Sequence, residues 1–259
     1  MKKITILLVM FALLTPFLFA QELGLSVGAE LGLFNATEAN DEDRVFGITP
    51  FIEYNNSIDV LDLYARAKWW LLFDDPMAQN PEIELEAAYN IDMGPGVLAI
   101  VLWNESYMYI SDGDSSYDGY VEPSVRYTIS GDFGDLSFQP GFGLWYEKDE
   151  DAQFDISFGI GYYNPIGFGI NAKIFYNISK GPEEFREYRV LPYYETGPFY
   201  FEIDFRAYGQ KFDSISMWPY IEYAVTDRIS VWAWLEIENL AKDGSDVSLT
   251  PVIGAAWKF

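Results

Sequence analysis

From Gln21 to the C-terminus the chain alternates apolar and polar residues with period two, run after run. Leu23, Leu25, Val27, Ala29, Leu31 and Leu33 interleave with Gly24, Ser26, Gly28, Glu30 and Gly32. Leu61, Leu63, Ala65, Ala67, Trp69 and Leu71 interleave with Asp62, Tyr64, Arg66 and Lys68. Phe154 to Tyr162 and Phe199 to Arg206 repeat the pattern. A helix repeats its faces every 3.6 residues and cannot use this spacing, whereas a strand turns successive side chains to opposite sides. Each run therefore predicts a strand with one apolar and one charged face.

Turn residues separate fourteen such runs: 22–34, 46–55, 59–73, 82–91, 96–110, 119–129, 133–147, 152–163, 166–178, 185–195, 198–208, 213–225, 228–239 and 246–259. The connections alternate in character. Those after odd-numbered runs are polar and acidic, such as Asn35 to Arg44, Asp74 to Pro81 and Ser111 to Asp118. Those after even-numbered runs are tight, such as Asn55-Asn56-Ser57, Gly197-Pro198 and Thr226-Asp227. Long loops at one end and short turns at the other predict an antiparallel up-and-down meander with both termini at the short-turn end.

The position of the aromatics separates a membrane barrel from a soluble sandwich. Near the short turns the apolar face carries Tyr54, Tyr89, Tyr127, Tyr162, Tyr194, Tyr223 and Trp257, one per down-strand. Near the long loops it carries Phe46, Phe73, Tyr109, Tyr146, Phe154, Tyr176 and Tyr188. Two aromatic girdles around an aliphatic band suit a transmembrane β-barrel, where the rings sit at headgroup level. A sandwich has no reason to ring its apolar face at two heights.

Composition then narrows the functions. The chain has no cysteine and no histidine, so Cys-based metal sites, thiol nucleophiles and imidazole chemistry are closed to it. A net charge of −24 argues against nucleic acid as a partner, because phosphate binding needs a clustered cationic surface. No cofactor and no metal are expected, and no enzymatic activity. At the N-terminus, Lys2 and Lys3, an apolar run from Ile4 to Phe19, and Ala20 before Gln21-Glu22 have the layout of a cleaved export signal. Residues 1–20 are read as that signal and 21–259 as a single barrel domain.

The last segment ends Ile253-Gly254-Ala255-Ala256-Trp257-Lys258-Phe259. Its alternating Ile253, Ala255, Trp257 and terminal Phe259 resemble the final strand of bacterial outer-membrane β-barrel proteins. By strand number and length the chain resembles the small monomeric porins of fourteen strands. The resemblance implies residence in the outer membrane of a diderm bacterium, contact with its lipid, periplasmic termini, and insertion by the outer-membrane assembly machinery that reads Trp257 and Phe259.

Two features leave twelve strands as the other count. Pro50, Pro123, Pro140, Pro192, Pro219 and Pro251 fall inside runs, where each loses a ladder donor, and are read as bulges or strand starts. Val97 to Leu102 does not alternate, so the facing of the fifth strand is open.

Fourteen strands about 4.8 Å apart and tilted about 40° enclose a cylinder roughly 28 Å across, too wide for side chains to fill. The interior is expected to hold water, and its wall to set selectivity. Inward-facing acids (among them Glu82, Glu84, Glu86, Glu202 and Asp204) outnumber the bases Arg66, Lys68, Arg126, Lys173, Arg189 and Arg206 and their neighbours. Such a lumen favours cations. Lys173, Arg189 and Arg206 are expected at mid-height, facing Glu202 and Asp204, as a constriction. Glu82-x-Glu84-x-Glu86 stacks three carboxylates at the outer mouth, either a hydrated acidic face or a divalent-cation site. Asp112 to Asp118 has acids at alternate positions but lacks the distal Glu of a calcium loop, and reads as a polar surface loop. Trp218, Trp232 and Trp234 face the water and could stack on flat solutes or merely narrow the bore. The expectation is a porin-like channel for small hydrophilic solutes and cations. The alternative is a structural or surface-binding, adhesin-like barrel without transport.

Overall fold

The computed structural model describes residues 24–35, 44–73, 79–111, 114–179, 185–209, 212, 214–240 and 247–259. The segment read as an export signal lies outside them. The strands are β1 (Leu25–Asn35), β2 (Arg44–Ile58), β3 (Leu61–Leu72), β4 (Gln79–Asp92), β5 (Gly96–Ser111), β6 (Asp114–Gly131) and β7 (Gly134–Glu147). They continue with β8 (Gln153–Tyr163), β9 (Phe168–Asn177), β10 (Phe185–Thr196), β11 (Phe199–Tyr208), β12 (Ser214–Thr226), β13 (Ile229–Glu238) and β14 (Ser248–Lys258). Each pairs with its sequence neighbours, and β14 closes on β1 from Ser26↔Lys258 to Gly32↔Val252. The result is a closed fourteen-stranded antiparallel barrel. Closure matters in lipid because it leaves no sheet edge with unpaired backbone groups. Both strand ends, Leu25 and Phe259, meet at the short-turn end, where the Phe259 amide donates to the Leu25 carbonyl at 2.9 Å.

The usual burial pattern is inverted. Ile100, Ile156 and Ile253 are 55%, 51% and 60% exposed, whereas Glu122, Asp155 and Asn177 are 0%. Apolar side chains form the outer skin and polar ones the packed interior, the arrangement that a hydrocarbon solvent selects. The girdle at the short turns is regular. Tyr54, Tyr89, Tyr127, Tyr162, Tyr194, Tyr223 and Trp257 stand opposite Leu25, Leu61, Leu98, Leu136, Phe168, Phe199 and Ile229, all near the starts of their strands.

Several expectations need correction. The six prolines mark neither bulges nor strand starts. Pro50 keeps register opposite Ala29, Pro123 opposite Leu102 and Pro219 opposite Ile203. On the other side the ladder skips and resumes in the same register, as from Ile48↔Leu71 to Phe51↔Lys68. A proline drops one ladder hydrogen bond, and the pairs on either side of the gap hold the register across it. The register shifts lie elsewhere, at Phe185/Glu187 and Ala224/Thr226. Strand β5 alternates after all: Ile100 and Leu102 face outward, whereas Ala99 and Val101 join Ala88 in a small buried apolar patch on the lumenal wall. Both faces are apolar there, which hides the period. Tyr109 consequently falls on the lumenal side, and Met108 takes the outward position. The segment expected as a loop from Ser111 to Asp118 is strand from Asp114 on: β5 and β6 pair out to Ser111↔Asp114, so Asp114 and Asp118 belong to a ladder, and Asp112 lies outside the described residues.

Candidate functional site

The lumenal wall is where the charged faces of all fourteen strands converge. Arg66, Lys68, Glu82, Glu84, Glu86, Arg126, Lys173, Arg189, Glu202, Asp204, Arg206, Trp218, Trp232 and Trp234 all occupy lumenal strand positions, on the parity that carries the buried Glu82, Asp204 and Trp232. Register places Lys173, Arg189 and Arg206 in one row, Lys173 opposite Arg189 and Arg189 opposite Arg206. Sequence reasoning thus finds the row and the Asp204 partner of Arg189 and Arg206, but not the partner of Lys173.

Lys173 does not face Glu202 or Asp204. Its ammonium spans β8 and β7 to hold both oxygens of Glu122 on β6, at 2.6 and 2.8 Å, and passes over the Phe175 ring at 4.8 Å. The reach is possible because the intervening lumenal positions are small: Gly141, Gly143, Ser157 and Gly159. Arg189 and Arg206 do grip Asp204, the first through Nε at 3.0 Å and the second through Nη2 at 2.9 Å. Arg206 also reaches Glu187 at 3.5 Å and lies over Trp218 at 4.4 Å. Arg66 reaches Glu30 at 3.4 Å and Glu53 at 3.8 Å. Arg126 stands 3.6 Å from Glu86.

The surplus of acids is resolved by aromatic donors. Among the described residues, nine lumenal carboxylates accept a hydrogen bond from a Tyr hydroxyl or Trp Nε1. Four are neighbours at i±2 on one strand: Tyr107 to Glu105, Tyr120 to Glu122, Tyr200 to Glu202 and Tyr220 to Glu222. Five cross strands: Tyr64 to Glu84, Trp70 to Glu82, Trp145 to Asp155, Trp218 to Glu236 and Trp232 to Glu30. A neutral donor steadies a carboxylate without cancelling its charge. Sequence reasoning missed Glu105, Trp70, Tyr107, Tyr120 and Trp145; the Tyr-x-Glu spacing on a polar face is the signal that finds part of this set.

Glu82, Glu84 and Glu105 bring carboxylate oxygens within 4.8 Å of one another. Glu86 is not part of the group and pairs with Arg126 instead. Lys68 already lies against the cluster, 3.2 Å from Glu82 and 3.6 Å from Glu84. Its ammonium supplies the positive charge that a divalent cation would otherwise bring.

Several lumenal rings lie flat on the wall over glycines. A Cβ at Gly28 would overlap the Phe51 ring, at Gly143 the Tyr120 ring, at Gly169 the Tyr193 ring and at Gly254 the Trp232 indole. Glycine is needed at such close approaches. Trp232 is consequently buried against Phe51, with ring centroids 5.8 Å apart, rather than standing in the water.

The lumen holds a cavity of about 1280 Å³ and a smaller one of about 400 Å³ beside Asp62, Tyr64, Glu86 and Trp103. The larger is the one that reaches mid-height. It is lined at the short-turn end by Gly197-Pro198 and by the 224–230 turn, and reaches Arg66, Lys68, Asp204 and Arg206 at mid-height. Its wall comes from β1–β3 and β11–β14 with their turns, not from β5–β9.

No protein-family model matches the chain, and no curated protein is significantly similar to it. Among solved structures, a triple mutant of the Rhodopseudomonas blastica porin is 10% identical, with 91% of this chain and 99% of that chain covered and a TM-score of 0.47. The KdgM porin is 12% identical, with 90% and 99% covered and a TM-score of 0.40. The fourteen-stranded topology itself stands on this chain's own hydrogen-bonded ladders.

Proposed function

We propose that the chain is a porin-like channel in the outer membrane of a diderm bacterium, passing small hydrophilic solutes by diffusion and favouring cations. The supporting observation is the charged cavity that opens at the short-turn mouth and penetrates to mid-height. Its acids Glu53, Glu202 and Glu222 line it together with Arg66 and Arg206, so a hydrated solute meets both signs of charge. Acids paired with neutral phenols and indoles rather than with Lys or Arg raise the local cation concentration. On this reading residues 1–20 export the chain, Trp257 and Phe259 present the terminal strand to the assembly machinery, and outer-membrane lipid covers the apolar skin. An enzyme is disfavoured because the lumenal acids are engaged with Arg, Lys, Tyr and Trp rather than poised in an open pair.

Single-channel recording of residues 21–259 in a planar bilayer tests the reading. Stable steps with a reversal potential showing cation preference are expected under a salt gradient. Folded protein that never conducts would overturn it and bring forward the structural or surface-binding barrel, for which the extended β5–β6 hairpin would be the natural contact.

A further inference from the structure

Two register rows cross β10–β13 just inside the short-turn mouth. The inner row reads Tyr193, Glu202, Tyr220 and Trp234; the row nearer the mouth reads Glu195, Tyr200, Glu222 and Trp232. Across β10, β11 and β12 aromatic and acid alternate in both directions, a checkerboard. On the far side Tyr163 of β8 extends it, because it lies opposite Gly169, whose own partner is Tyr193.

The rings form a continuous surface. Tyr163 and Tyr193 have centroids 6.1 Å apart at 12°, Tyr193 and Tyr200 6.0 Å at 30°, and Tyr200 and Tyr220 5.9 Å at 70°. Gly169 lets Tyr193 lie against the wall, which turns its face to the lumen. The hydroxyls of Tyr200 and Tyr220 point along the wall to Glu202 and Glu222. Polar tips are thus tied back at the ring edges, and all four tyrosines remain partly exposed.

No Lys or Arg stands in the two rows among the described residues. The bases of the adjoining cavity stand off them: Arg66, Lys68 and Arg206 deeper, Arg228 and Lys258 at the rim. Glu202, Tyr220, Glu222, Trp232 and Trp234 line that cavity directly. The surface therefore offers π-faces and uncancelled carboxylates together. An anion is repelled by this pairing, and a neutral sugar, which can stack on the rings and donate hydroxyls to the acids, leaves their charge unmatched. An organic cation with an apolar body satisfies both, its body on the rings and its charge over their faces and beside the acids.

We propose that this checkerboard is a binding site for organic cations, quaternary or primary ammonium compounds with an apolar body. The site deepens the channel reading by naming a solute class, but binding itself does not require conduction.

The test is titration calorimetry of benzyltrimethylammonium into the refolded, detergent-solubilised chain, with benzyl alcohol and maltose as neutral comparators. Saturable binding of the ammonium alone is expected. Tyr193→Leu and Tyr220→Leu should each weaken it about two- to fivefold, the range of one exposed cation–π contact. Tyr220→Phe, which keeps the ring, should retain most of the affinity. Glu202→Gln with Glu222→Gln should weaken binding further and flatten its salt dependence. Circular dichroism and the mobility shift on heating establish that each variant is folded. No saturable heat, equal binding of maltose, or indifference to the Tyr→Leu variants would overturn the proposal. Binding by a barrel that passes no current would support this site and sink the channel reading. Conduction without ammonium binding would do the reverse.

Discussion

The two halves of the lumen are made from the same alternating strands, yet one is filled and the other open. In the β5–β9 half, Tyr120, Trp145 and Phe175 pack together, with the Tyr120 ring 4.5 Å from Trp145 and 6.1 Å from Phe175. Lys173 clamps Glu122 beneath them, and Asp155 and Asn177 are sealed from water. In the half formed by β11–β14 and β1–β3, longer side chains stand on every lumenal row and hold one another at the wall, leaving the cavity. The difference traces to small residues. Gly141, Gly143 and Ser157 leave room for neighbours to cross over them, so the wall of that half thickens inward. In the open half the side chains that cross, the Trp232 indole over Gly254 and the Phe51 ring over Gly28, lie flat on the wall, and the water stays.

The largest effect that would break this contrast is loss of the clamp. Lys173→Ala leaves the Glu122 carboxylate buried and unpaired, and is expected to cost about 3 kcal/mol in urea unfolding from lipid vesicles. The double change Lys173→Met with Glu122→Gln should recover most of that loss. If Lys173→Ala costs nothing, the packed half is not a structural unit.

Next comes filling the crossing points. Gly143→Val drives a side chain into the Tyr120 ring and should destabilise by about 1–3 kcal/mol. Gly159→Ala is the control, because its Cβ meets nothing nearer than 3.5 Å. Its unfolding midpoint should stay close to that of the parent. Equal effects at both positions would erase the distinction between crossed and uncrossed glycines.

The open half is tested by conductance rather than stability. Arg206→Ala should raise single-channel conductance and strengthen cation preference, because it removes a base at the deep end of the cavity. Glu122→Gln, in the packed half, should leave the reversal potential unchanged. A shift there would mean that ions also travel through the β5–β9 half. The smallest expected effect is Arg66→Ala. Its pairs are longer than the 2.6 Å contact of Lys173, at 3.4 Å to Glu30 and 3.8 Å to Glu53, and Glu30 keeps the Trp232 donor, so unfolding should shift by about 1 kcal/mol.

How much of this was legible in the sequence depends on the range of the interaction. The strand count, the outward facing of the girdle aromatics and the closure of β14 on β1 follow from a period that each strand carries alone. Strand β5 escaped because Ala99 and Val101 make its lumenal face apolar too, and only the opposite position, Ala88 on β4, reveals the patch. The Lys173, Arg189, Arg206 row was legible as three inward bases, and Asp204 as the partner of two. Glu122 as the partner of the third was not, because three strand spacings and a diagonal offset separate it from Lys173.

By itself the sequence determined which face of nearly every strand meets lipid and which meets the lumen. Alternation is local, and a one-residue slip would turn every side chain of a strand to the wrong solvent. Only the tertiary structure decided which lumenal charges meet, which rings lie flat and where water remains. Those outcomes depend on the register between strands far apart in the chain, and on the size of the residues between two potential partners. Lys173 reaches Glu122 because glycines lie between them, and no single stretch of sequence contains the lysine, the glycines and the carboxylate at once.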